Sequence, residues 1–194
     1  VRENKDKRIR ACLIRTLAFS LFASAFWAML PLIASRFGAV GYGAMLAFFG
    51  IGALAGALML AIARRYFSFD KIIVLATCMF AVALCGLVRT GNLYIASGFA
   101  AAAGMAWISI LATLNLVAQT ACPSWVRARV ISMYVLFLQG GMALGSALWG
   151  EVASYTSVRF TLTFAAAALL LGLLLAPWYR LHGQNIPAIQ DVKI

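Results

Sequence analysis

Between Arg129 and Glu151 the chain carries no charge, and Gly140, Gly141, Gly145 and Gly150 all lie in that stretch. Val130 to Gly150 makes about 21 residues, which at 1.5 Å each is long enough for one bilayer crossing. Glycines at this density would weaken a soluble helix, but in lipid a missing side chain lets a second backbone come close. The stretch therefore predicts a membrane helix with a tightly packed neighbour. Just before it, Trp125, Arg127 and Arg129 form the kind of basic aromatic segment that fixes topology and meets lipid phosphate.

Similar apolar runs recur along the whole chain. With 64% hydrophobic residues, 11% charged residues and a mean hydropathy of +0.96, the chain lies far from a water-soluble domain, where about a quarter of residues are charged. The reading is an all-α polytopic membrane helix bundle. Six spans are expected, at about residues 12–34, 41–63, 72–88, 93–119, 130–150 and 160–179, within a membrane domain of 12–180. A basic cytoplasmic linker, 1–11, precedes them and a cytoplasmic tail, 181–194, follows. The opening run VRENKDKRIR reads as an internal loop, so the chain is expected to be a fragment of a longer one. Pro31 is expected to kink the first span.

Charge placement gives the orientation. Of the 16 lysines and arginines, only Arg36, Arg89 and Arg159 fall on one side of the six spans, and the rest fall on the other. Positive charge is retained in the cytoplasm, so both termini are placed there. The net charge of +11 is confined to short loops, Arg64 and Arg65 among them, and builds no exposed basic face; nucleic acid is not an expected partner. The four cysteines have no C-x-x-C spacing and read as small apolar residues.

Each half of the six-span pattern has a glycine-rich middle helix. In the second span Gly52 and Gly56 form a G-x-x-x-G pair, and in the fifth span Gly140, Gly141 and Gly145 do the equivalent work. Triplets with an odd number of spans run with opposite topology, so the arrangement expected is two inverted three-helix repeats.

The run NLVAQTACPSWVRARVISMYVLFLQGGMALGSALWGEVA, with SAFWAMLPLIASRFGAVGYGAMLAFFGIGALAGA near the start, resembles the major facilitator superfamily. The resemblance is to its transmembrane secretion effector branch, which includes enterobactin exporter-like proteins, and specifically to the C-terminal six-helix half. It implies half of a twelve-helix secondary active exporter of small organic molecules, siderophore-like or drug-like. Such an exporter works by alternating access, usually with protons as the coupling partner, and this one would sit in the bacterial plasma (inner) membrane. It further implies that the first and fourth helices line a central cavity while the second and fifth pack on the missing N-terminal half. Gly52, Gly56, Gly140, Gly141 and Gly145 are then expected to face that half. One departure is the loop from Ala63 to Lys71, which keeps its basic residues but lacks the aspartate and glycine of the superfamily's cytoplasmic loop pattern at their places.

A cavity of this kind draws on polar and aromatic groups near mid-membrane. Ser20, Ser24 and Trp27 share a face of the first span. Trp107, Asn115 and Gln119 lie on the fourth span and Gln139 on the fifth. Each has a structural alternative: serines bond back to their own helix, tryptophans pack, and amides join helices. Glu151 is the acidic residue nearest a span and a candidate for proton coupling, although its position brings it to the outer surface. His182 is the single histidine, and no H-E-x-x-H, G-x-S-x-G or acidic cluster occurs. Neither catalysis, nor a metal, nor a cofactor is therefore expected. The rival reading is a six-span, non-transporting module that binds a partner chain or itself through its glycine faces.

Overall fold

The computed structural model describes residues 2–173, with side chains from residue 8 onward. Helix α1 spans Arg2–Ala34, α2 Gly38–Tyr66, α3 Phe69–Arg89, α4 Leu93–Thr120, α5 Arg127–Tyr155 and α6 Val158–Leu173. Helices α1 to α5 run from 21 to 33 residues, long enough to cross a bilayer. The described part of α6 is 16 residues. The expected end of the sixth span and the tail after it lie outside the described residues.

The helices overrun the predicted spans at most ends, because hydropathy marks the edge of the hydrocarbon while the backbone ladder continues into the headgroup layer. The clearest case is the charged stretch read as a linker, which is helical from Arg2. Its Arg, Lys and Glu residues are good helix formers once an apolar segment extends the same helix. Helix α1 also continues three residues past Pro31. The interruptions are chemical. Asn92 caps α4 by accepting the Tyr94 N–H at 2.9 Å, and the Ser157 hydroxyl accepts the Phe160 N–H at 3.3 Å at the start of α6. Between α1 and α2 a single 3-10 turn, Ser35–Phe37, is followed by Gly38 at φ 70°, a conformation that side chains resist. This reverses the chain: the Phe26 and Phe49 rings stack with centroids 5.2 Å apart, whereas an uninterrupted helix would separate them by about 35 Å.

Helix α2 packs chiefly on α4, and α1 on α5; α3 lies against α4 and α6, and α6 lies against α1 and α3. Backbone touches backbone along the first two seams. A methyl group added at Gly52 would overlap the carbonyl of Ala101, and one at Gly104 would overlap the carbonyl of Phe49. One at Gly56 would come within 2.8 Å of the Met105 carbonyl. In the other seam, Gly141 and Gly145 of α5 leave no room for a methyl against Ser20, Leu21 and Ser24 of α1. These four glycines thus meet helices of this chain, which corrects the expectation that they face a missing half. Their seams are closed already, and of the five only Gly140 has open space beside it.

Hydrogen bonds tie α5 to α1 and to α4. The Trp149 indole donates to the Leu21 carbonyl at 2.9 Å, and the Tyr134 hydroxyl to the Leu111 carbonyl at 3.2 Å. Outside the seams the surface is apolar: Leu54, Leu58 and Leu136 are each about two-thirds exposed. Small residues thus line the seams and large apolar residues the outer surface, as in helices that pack within a membrane.

Candidate functional site

Six aromatic rings from four helices meet in the middle of the bundle. Helix α1 contributes Phe19, Phe26 and Trp27, α2 contributes Phe49, α3 Phe80 and α4 Trp107. Phe26 and Phe80 are fully buried. Trp27 and Trp107 are half-buried and pack against each other with centroids 5.9 Å apart and planes at 79°. Phe49 sits 5.0 Å from Trp27, edge to face. Edge-to-face arrangements of this kind satisfy the ring quadrupoles and hold the rings in one geometry.

The structure therefore brings Trp27 and Trp107 together. It places the two serines elsewhere. Ser20 and Ser24 are fully buried where α1 meets Gly141 and Gly145, and their hydroxyls donate to their own helix at Leu17 and Leu21, at 3.1 and 2.8 Å. They pack helices; a substrate has no access to them in this arrangement. Asn115 and Gln119 are half-buried and bond to each other, the Gln119 Nε2 donating to Asn115 Oδ1 at 2.6 Å. Gln139 is exposed on α5, and Glu151 is exposed near that helix's end.

One ion pair is not legible in the sequence. Arg15 bridges to Asp70 at 2.5 Å, joining the inner part of α1 to the first turn of α3, and its side chain is only 11% exposed. The signal was an arginine inside an apolar run, but nothing in the sequence says which acid lies opposite. Among the loop arginines, Arg65, Arg127 and Arg129 are exposed, as is Trp125. Arg64 is half-buried with no partner for its Nε, and burial pulls its pKa downward without discharging it.

Among the described residues no three His, Cys, Asp or Glu side chains are grouped to hold a metal. The described residues offer a cluster of aromatic rings from α1 to α4 and, apart from it, neutral amides on α4 and α5. A family model for transmembrane secretion effectors matches residues 3–190. The chain belongs to the transmembrane secretion effector family. It is accordingly an integral membrane protein of the major facilitator type, with membrane transport or secretion as its class of activity. Membership implies a transporter rather than an enzyme. Comparisons with curated proteins and with solved structures found no match.

Proposed function

We propose that this transmembrane secretion effector is the C-terminal half of a secondary active exporter. It moves small organic molecules, siderophore-like or drug-like, out of the cytoplasm by alternating access against proton entry. One observation carries the reading. Exchanging the first three helices with the last three keeps the principal pairings: α1 on α5 becomes α4 on α2, α6 on α1 becomes α3 on α4, and α3 on α6 maps onto itself. This pairing supports the reading of two inverted three-helix repeats, the architecture from which many six-span transporter halves are built.

In this reading six helices cross the bacterial inner membrane with both termini cytoplasmic. The missing N-terminal half covers the open apolar faces of α2 and α5, where Ile51, Leu54, Leu136 and Leu144 are exposed and Gly140 has open space beside it. Trp27, Trp107, Asn115, Gln119 and Gln139 line this half's share of the cavity. Glu151 is the candidate proton carrier on this half. The loop arginines Arg64, Arg65, Arg127 and Arg129 hold topology and contact anionic lipid.

The test is efflux from cells that express the full-length protein. Trp107→Ala and Gln139→Ala are expected to lower export of a panel of aromatic and siderophore-like compounds at least fivefold, with unchanged amounts of protein in the membrane fraction. Normal export in both variants would remove these residues from the cavity.

A further inference from the structure

Trp27 is held in an unfavourable way. Its indole Nε1 is buried and has no hydrogen-bond partner, while the residue as a whole is only half-buried. The other two such buried nitrogens among the described residues belong to Arg8 and Arg64, at basic helix ends; Trp27 alone of the three lies inside a predicted span. Its neighbours are rings: Phe26 at 5.3 Å and 85°, Phe49 at 5.0 Å and 67°, and Trp107 at 5.9 Å and 79°. None of them carries an acceptor atom. A buried tryptophan normally finds an acceptor for its N–H, and an unmade bond of this kind destabilises the arrangement that contains it. Turning the side chain toward its half-exposed side relieves this only if an acceptor waits there.

Resting on the exporter reading, we propose that Trp27 is the residue that selects the cargo: it turns on binding and donates its indole N–H to the ligand. The ligand class follows from what surrounds it. Trp107, half-buried beside Trp27, supplies ring surface for a planar aromatic group. The cargo is thus a flat aromatic molecule bearing an oxygen or nitrogen acceptor on its edge. The bond gained replaces one the unliganded protein leaves unmade, so an aromatic molecule with an acceptor binds more tightly than one without.

The experiment compares equilibrium binding of coumarin, which carries a carbonyl acceptor, and naphthalene, which has none. The full-length protein is held in lipid nanodiscs and empty nanodiscs are subtracted. The wild type is expected to prefer coumarin. Trp27→Phe, which keeps a ring and removes the donor, is expected to weaken coumarin about 3- to 10-fold and to change naphthalene less than twofold. Trp107→Phe keeps the Trp27 donor and is expected to weaken both probes together. Equal loss of both probes in Trp27→Phe, no loss of either, or no preference for coumarin in the wild type would each overturn the assignment. Flux is read separately on the same protein. Binding that discriminates as described, without export, would sink the exporter reading and leave the Trp27 assignment standing; export with an indifferent Trp27→Phe would do the reverse.

Discussion

Replacing Gly52 with alanine adds one methyl group at the place where α2 and α4 come closest. That methyl would overlap the Ala101 carbonyl, and across the same seam Gly104 faces the Phe49 carbonyl. Both obstacles are backbone of long helices, so no side chain can swing aside and the helices must part. A separation on the order of 1 Å forfeits a quarter to a half of the dispersion at each contact it opens. Overpacking of this kind costs roughly 1–3 kcal/mol, and the rigid obstacles put Gly52→Ala at the upper end. Alanine's better helix propensity returns about 1 kcal/mol. The net is about 2 kcal/mol of destabilisation, a fall of about 4–8 °C in melting temperature for a chain of this size. Gly50→Ala, two residues away in the same helix, is the control. Nothing lies within 4 Å of its added methyl, so it is expected to be neutral or slightly stabilising. Thermal unfolding of the protein in nanodiscs, followed by tryptophan fluorescence, reads both. A Gly52→Ala protein that melts like wild type, or a Gly50→Ala protein that melts as low as Gly52→Ala, would refute the assignment of this seam to α2 and α4.

Two further substitutions test the other structural assignments. Asp70→Asn weakens an ion pair to an arginine that is only 11% exposed, and is expected to destabilise by about 1–3 kcal/mol, less than for a fully buried pair because Asp70 is 31% exposed. Adding Arg15→Met should recover part of the loss, which thermal unfolding of the double variant checks against the sum of the singles. Ser24→Ala is expected to change stability by less than about 1 kcal/mol and export by less than twofold, because the hydroxyl bonds only to its own helix at Leu21. A large loss of export with intact stability would return Ser24 to the cavity.

The helices themselves were legible. Runs of apolar residues ended by Asn92, Ser157 and the break at Gly38 mark where each one starts and stops, and the expected spans fall inside the observed helices wherever those are described. Close packing at Gly52, Gly56, Gly141 and Gly145 was legible as well, since only a nearby backbone gives glycine a use in lipid. The identity of the partner was not. In a membrane helix the positions that face lipid and those that face another helix are both apolar, so hydropathy carries no information about which helices pair. For this reason the glycines were turned toward a missing half, although α4 and α1 were already there. For Ser20 and Ser24 the sequence leaves cavity and packing roles both open, because depth does not say on which side α5 sits. Trp27 and Trp107 do come together, with centroids 5.9 Å apart and Phe49 of α2 packed against Trp27. The other rings, Phe19, Phe26, Phe49 and Phe80, had no feature in the sequence to separate them from ordinary apolar residues.

The most direct test of the exporter reading is flux in proteoliposomes that contain the full-length protein, a trapped pH indicator and an imposed proton gradient. The account predicts that coumarin-like aromatic substrate moves only when the gradient is present and that its movement is matched by proton movement in the opposite direction. A correctly folded protein that moves neither substrate nor protons would contradict it.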